Sequence, residues 1–305
     1  MTLQQLRQVL TIAESNSMNE AAKKLFVSQP NLSATVREVE EELGITVFMR
    51  NNRGITVTAE GEEFLGYAKQ VVEQYHLLEN RYLNVESKKK FSVSMQHYSF
   101  AVKAFVQLAK EVGMDEYEFA VHETKTKEVI DNVKNLKSEI GVLYLSDFNE
   151  KVLRKLFKEC DIEFKELFTC NTYVYLWKKH PLAGQKEITL DDLQEYPCLT
   201  FEQGVNNSFY YAEEMMSTYE YKRVIKADDR ATMLNLMVGL NGFTLCSGII
   251  SEDLNGDDYA AIPLKESEKM HIGYIKHKGT KLSKLGEIYI DAVSYTHLRA
   301  HETDQ

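Results

Sequence analysis

The chain has 305 residues, 44 % of them hydrophobic and 27 % charged, which is enough for two or three compact units with ordinary cores. A net charge of −10 excludes a generic nucleic-acid coat protein, which needs a basic field, but leaves room for a small DNA-reading module on an acidic body. The sequence shows no basic segment followed by an apolar run at its start and no stretch of about 18 apolar residues, so neither export nor a membrane span is expected and the reading is cytoplasmic.

Leu3, Leu6, Leu10 and Ala13 form one apolar stripe and predict a first helix. Ser17 stands three residues ahead of Glu20, a capping-box spacing that starts a second helix from Met18 to about Leu25. Ser28 is placed to cap a third helix, with Pro30 tolerated in its first turn. Leu32, Val36, Val39 and Leu43 give that helix one buried stripe, and Gly44 ends it in a left-handed cap. Three short helices with a tight turn between the last two read as a helix-turn-helix. Its outward face carries Gln29, Asn31, Ser33 and Arg37, groups suited to base edges and phosphates. Glu38, Glu40, Glu41 and Glu42 lie at the far end, where an inserted helix points away from phosphate. Six Lys and Arg stand against seven Glu through position 60, so the usual basic signature is missing and a plain three-helix bundle stays open at this point. "NNRG" at 51 to 54 has the residues a hairpin turn needs, with Arg53 at its tip.

The stretch "AAKKLFVSQPNLSATVREVEEELGITVFMRNNRGITVTAEG" resembles the winged helix-turn-helix of the LysR-type transcriptional regulators. The matching residues are Ala21-Ala22 and Leu25, Ser28-Gln29-Pro30, Leu32-Ser33, Glu40, Leu43-Gly44, then Phe48, Arg50 and Thr58-Ala59-Glu60-Gly61. The resemblance implies double-stranded promoter DNA as partner, with Ser28, Gln29, Pro30, Asn31, Ser33, Arg37, Arg50 and Arg53 as DNA-binding residues. Ala34 departs from it, since many relatives carry a basic residue there, and Arg37, Arg50 and Arg53 must then supply more of the phosphate attraction.

From Thr58 to about Glu86 no proline occurs, and Phe64, Ala68, Val71, Tyr75, Leu78, Tyr82 and Val85 repeat every three or four residues. A helix of about 29 residues spans on the order of 43 Å, too long to bury that seam in its own small domain. Pairing with a second copy is expected, giving a homodimer or homotetramer with recognition helices about one DNA turn apart. "SKKK" at 87 to 90 reads as a linker.

Beyond it the pattern alternates. "FSVSMQH" (91–97), "YEFAVHE" (117–123) and "IGVLYLS" (140–146) read as strands, separated by helices at 99–112 and 126–136. A second cycle runs through "TYVYLW", "PCLTF", "RVIKAD", the helix 230–240 and "FTLCSG", and "MHIGYIKH" with a helix from Ser283 to about Val293 returns to the first unit. The fold class is α/β: a winged helix-turn-helix with a long dimerisation helix, then a two-lobed domain. With "KKHPLAGQKEITLDDLQEYPCLTF" this region resembles the same family's effector-binding domain, of the type II periplasmic-binding-protein kind. Expected boundaries are 1–60 for DNA binding, 58–87 for the dimerisation helix and 88–293 for effector binding. Within the last, lobe I takes 88–161 and 266–293 and lobe II takes 162–265, with two crossovers as hinge.

Ligands in open α/β sheets sit at strand ends between lobes. Tyr98, Ser99, Thr124, Ser146, Thr200, Phe201 and Ser247 are therefore the candidate effector contacts, with Ser99 and Thr200 raised above the rest by the resemblance. His97, Lys125 and Thr126 stand beside them, and Lys125 with the amides before the helices suggests an anionic effector. No nucleophile elbow, P-loop, H-E-x-x-H or dinucleotide glycine pattern occurs, so no enzyme, metal or cofactor is expected. Cys160, Cys170, Cys198 and Cys246 fall at irregular spacing, which predicts buried, reduced thiols. Two other readings remain open: a thiol redox-sensing regulator, and an effector-independent regulator whose two-lobed domain serves oligomerisation. The tail "SYTHLRAHETDQ" (294–305) breaks the last helix's periodicity and reads as a non-native extension, so His297 and His301 are set aside as metal ligands.

Overall fold

The structure is a computed structural model that describes residues 1–302 apart from Asn16, 52–53, 83–87, 114–115 and 207, and without the side chains of 50, 51, 54, 77, 80–82, 252 and 297–302. Contacts divide the chain into two units, Met1–Ser87 and Lys88–Gln305.

In the first unit, α1 (Leu3–Ala13) starts on a reciprocal capping box between Thr2 and Gln5. α2 (Met18–Lys24) is capped by Ser17, whose hydroxyl accepts from Glu20 N. α3 (Gln29–Leu43) opens on Ser28 with Pro30 in its first turn and closes on Gly44 at φ 69°. Val9, Ile12, Ala21, Leu32, Val36 and Val39 fill the core between them. Two details correct the sequence reading. Leu43 is exposed, because the helix ends there, and Glu40 one turn earlier faces the following strand instead of solvent. Its Oε1 accepts from Val47 N (2.7 Å) and Phe48 N (3.0 Å), tying down the start of the wing. And α1 has two apolar faces rather than one stripe: Val9 and Ile12 enter the three-helix core, while Leu3, Leu6 and Leu10 belong to a cluster with the long helix.

β1 (Phe48–Asn51) and β2 (Gly54–Val57) form the antiparallel wing, Phe48 opposite Val57 and Asn51 opposite Gly54. Arg53 lies outside the described residues, and Arg50 is described only through its backbone in β1. α4 (Ala59–Tyr82) then divides the expected seam. Phe64 and Ala68 are corrected: together with Val72 they pack with Leu6 inside the chain's own first unit, because α1 lies along this part of α4. Val71, Tyr75 and Leu78 stay exposed, at 51 %, 38 % and 56 %. The side chains of Tyr82 and the whole of Val85 lie outside the described residues.

Gly61, in the first turn of α4, faces the backbone of β1's approach, and a Cβ there would overlap the Val47 carbonyl oxygen. The clash is with backbone, so no side chain can move aside. Gly61→Ala is expected to destabilise the first unit by about 1–3 kcal/mol. Thermal unfolding followed by helix content checks this; an unchanged melting curve would contradict the close approach.

The second unit holds two lobes. In lobe I, β3 (Lys89–Met95), α5 (Ser99–Val112), β4 (Tyr117–Glu123), α6 (Thr126–Lys134) and β5 (Ile140–Leu145) follow the predicted order. α7 (Glu150–Glu159) and β6 (Ile162–Cys170) come next. The sheet order is β4-β3-β5-β12-β6, with β3 parallel to β4 and β5, and β12 (Met270–His277) antiparallel to both its neighbours. This moves the expected lobe boundary. Ile162–Cys170 was expected to open lobe II, but β6 pairs along its whole length with the returning strand and so completes lobe I.

Lobe II contains β7 (Tyr173–Trp177), β8 (Cys198–Phe201), β9 (Val224–Ala227), α8 (Arg230–Leu240), β10 (Thr244–Cys246), α9 (Glu252–Asn255) and β11 (Tyr259–Pro263). β7 pairs antiparallel with β10 and β11, and β8 pairs parallel with β9. The two crossings between lobes are bonded to each other: Thr172 N donates to Ser267 Oγ and Thr172 Oγ1 to Glu268 O, both at 2.8 Å. α10 (Lys284–Glu302) packs on α5 and buries Tyr289 completely. It does not stop at Val293. Ser294 and Thr296 still donate to Ile290 O and Val293 O, and the Leu, Arg, Ala and Glu that follow are residues a helix accommodates well.

Candidate functional site

At the start of α3, Ser28, Pro30, Asn31 and Arg37 are exposed. Ser28 is already used as the helix cap, accepting from Asn31 N. Gln29 and Ser33 are half-buried and bonded to each other, Gln29 Nε2 donating to Ser33 Oγ at 2.8 Å, as residues one turn apart must be if their side chains are to meet. One feature of this surface had no sequence signal. Phe26, in the turn before α3, is 96 % exposed and takes φ 55°, the left-handed conformation that closes the turn.

A cavity of about 90 Å³ lies between the lobes of the second unit. The loop after β3 contributes His97 and Tyr98, the start of α5 Ser99, β8 Phe201, and β10 with its following loop Thr244, Cys246 and Ser247. Of the candidate contacts, Tyr98, Ser99, Phe201 and Ser247 line it. Thr124, Ser146 and Thr200 do not. Thr124 donates its hydroxyl to Glu128, within its own helix start. Ser146 is buried in the turn that begins α7, its amide donating to Asn149 Oδ1. Thr200 sits one residue before the cavity, in register with Lys226.

Sequence reasoning passed over the two residues that dominate the cavity's chemistry, Glu213 and Glu214, each 5 % exposed. Glu213 Oε2 accepts from His97 N (2.9 Å) and lies 2.7 Å from His97 Nδ1, while its Oε1 accepts from Gln203 Nε2 (2.8 Å). The His97 ring in turn stacks on Phe201, centroids 3.6 Å apart. Glu214 Oε1 accepts from Phe201 N at 2.8 Å. Burial, followed by the neighbouring Glu213 charge, pushes the Glu214 carboxyl up to about 8. Tyr98 is held well above the usual phenol range, first by burial, and its hydroxyl donates to Gln96 Oε1.

The same network joins the lobes. Thr126 N donates to Gln203 Oε1 (3.1 Å), Thr126 Oγ1 to Tyr211 O (2.8 Å), and Tyr144 hydroxyl to Ala212 O (3.0 Å). At the rim, Arg230 pairs with Glu123, Lys125 with Asp228 at 3.4 Å, and Lys103 with Asp253 at 2.7 Å. Three of the groups behind the anionic-effector expectation are already engaged within the protein. The amides of His97 and Thr126 are taken by the protein's own side-chain oxygens, and Lys125 faces Asp228 rather than the cavity.

All four thiols are shifted away from reactivity. Cys160, Cys170 and Cys198 are buried and Cys246 is half-buried. Burial raises every one, Cys170 and Cys246 to about 12.

Comparison with known proteins follows this division of the chain. Residues 3–62 match the model of the bacterial regulatory helix-turn-helix protein, lysR family, and residues 96–294 match that of the LysR substrate binding domain. The HTH-type transcriptional regulator CysL of Bacillus subtilis is 25 % identical over 297 residues, covering 93 % of this chain and 94 % of its own length. The transcriptional dual regulator GltC, also of Bacillus subtilis, is 30 % identical over 214 residues, covering 67 % and 66 %. Among solved structures, a full-length OxyR variant from Pseudomonas aeruginosa aligns with a TM-score of 0.71 at 19 % identity, covering 96 % of this chain and 94 % of that one. Full-length CbnR in complex with its target DNA aligns with a TM-score of 0.59 at 17 % identity, covering 97 % and 100 %.

Proposed function

The chain belongs to the LysR family of bacterial transcriptional regulators, with a DNA-binding helix-turn-helix and an effector-binding domain, and from that premise we propose how its own residues divide the work. The observation that carries the proposal is the exposed polar start of α3, where Asn31 and Arg37 stand free of the core that holds Leu32, Val36 and Val39. Gln29 and Ser33 read base edges as a bonded pair, while Arg37 and the wing residues Arg50 and Arg53 hold phosphate. Ser28 and Pro30 set the helix start. Two copies pair through the exposed part of α4, Val71, Tyr75 and Leu78, so that two α3 helices address half-sites about one DNA turn apart. The inter-lobe cavity takes the effector, and lobe closure changes the spacing of the DNA-binding pairs; this requires the effector to favour one arrangement over the other. No described helix is long and apolar enough to cross a membrane.

Footprinting on the DNA flanking the protein's own gene, at several salt concentrations and against scrambled DNA, tests the reading. Arg37→Ala is expected to weaken binding across sequences and lower the salt slope by about one. Gln29→Ala is expected to leave the slope alone and relax preference at one position by about 1–3 kcal/mol. No protection over scrambled DNA, from a folded dimer with or without cell extract metabolites, would count against the α3 assignment.

A further inference from the structure

We propose that the inter-lobe cavity takes a small organic cation, an ammonium group on a short apolar body, with Glu214 as its counter-ion and Thr244 as a second acceptor. The proposal rests on the reading that this cavity is the effector site. Its first support is a charge count. Four charged or titratable side chains of Glu, His and Arg type line the cavity: Glu213, Glu214, His97 and Arg230. Arg230 is already neutralised, its Nε and Nη2 both donating to Glu123 Oε1. His97 is taken by Glu213. Among the described residues no Lys, Arg or His forms an ion pair with Glu214, whose carboxylate accepts from the Phe201 amide. One buried carboxyl therefore lines the cavity with no cation of the protein beside it; it holds its proton while the site is empty, and a bound cation would draw it into the ionised form.

The second support is independent of charge. Thr244 is 6 % exposed, lines the cavity, and its Oγ1 has no hydrogen-bond partner. Orphaned buried hydroxyls are rare in a finished interior and mark a place where something else binds. An ammonium has three donors and no acceptor, so it can give one hydrogen bond to the Glu214 carboxylate and another to Thr244 Oγ1. A carboxylate ligand would instead lie beside two acidic side chains, Glu213 and Glu214.

The walls fix the rest of the ligand. Met233, Met237, Met270 and Phe100 are apolar or polarisable, and aromatic faces attract cations. The body is taken as a chain of a few carbons, which a cavity of about 90 Å³ with these walls admits.

The test uses the full chain with methyl-labelled methionine, following Met233, Met237 and Met270 by NMR while adding n-butylammonium, 1-butanol or butyrate. These probes share length and differ in charge. Saturating shifts with n-butylammonium, at least tenfold tighter than 1-butanol and absent with butyrate, are expected. Glu214→Gln should weaken n-butylammonium at least tenfold and leave 1-butanol unchanged. Equal affinity for n-butylammonium and 1-butanol, or tighter binding of butyrate, overturns the cation assignment while leaving the cavity as a ligand site. No response of any of the three methionines to any probe overturns both. The comparison among probes on the unmodified chain stands even if the variant fails to fold.

Discussion

Glu213→Ala will destabilise the Lys88–Gln305 unit by about 3 kcal/mol, the order expected when a buried acceptor that serves several donors is removed. The size follows from what the carboxylate holds. His97 N, His97 Nδ1 and Gln203 Nε2 all lie within 2.9 Å of its two oxygens, and the residue is only 5 % exposed. Alanine leaves each of these donors buried and unpaired. The loss does not stay local. Gln203 also accepts from Thr126 N, and Thr126 bonds Gln96 and Tyr211, so one side chain holds the lobe II segment 203–214 to the strand ends of lobe I. Glu213→Gln keeps one acceptor for Gln203 or His97 and should lose about half as much. Trp177 is the chain's one tryptophan and lies in β7 of lobe II, so its fluorescence in urea reports this unit. A loss under about 1 kcal/mol would mean that the rim pairs Arg230–Glu123 and Lys103–Asp253 carry lobe closure instead.

Elements whose signals are local were legible in the sequence. Ser17, Ser28, Pro30 and Gly44 mark helix ends because each acts on amides or carbonyls within four residues of itself. β5 was legible because six successive buried residues leave few alternatives. The misreadings have a common cause. β6 has the period of a strand, but periodicity does not say which sheet a strand joins; that is decided by β12, about a hundred residues later. Phe64 and Ala68 fit a heptad seam and also fit the groove against Leu6, and α1 claims them first. Glu40 reads as one of four solvated acids, yet it is spent on the amides of Val47 and Phe48. The cavity was legible only through its loop residues. Glu213 and Glu214 stand in "SFYYAEEMMSTY", where two adjacent acids among aromatic and methionine residues were the available hint. Their burial depends on His97, 116 positions away.

Glu214→Gln is expected to do the opposite of Glu213→Ala and stabilise the protein above neutral pH. The Glu214 carboxyl is pushed up to about 8 in the folded chain by burial and by Glu213, from an ordinary value of 4.5 when unfolded. Folding therefore binds a proton between those two values. Stability contributed by the protonated group is complete below about pH 4.5 and is lost as pH rises to about 8, at about 1.4 kcal/mol per unit for one proton. Across the whole window that is at most on the order of 5 kcal/mol. Glutamine keeps the acceptor for Phe201 N and has no charge to desolvate, so the pH slope owed to this site disappears. Tyr144, Tyr98, Tyr221 and Cys198 beside the acid pair are all raised and stay neutral across this range, and His97, against Glu213, is common to both chains and so drops out of their difference. Urea unfolding followed at Trp177, at pH 5, 6.5 and 8, gives the two profiles; parallel profiles would remove Glu214 from the linkage. A bound ammonium favours the ionised carboxylate, so n-butylammonium should protect the unmodified chain most at pH 8, where Glu214→Gln leaves it nothing to protect.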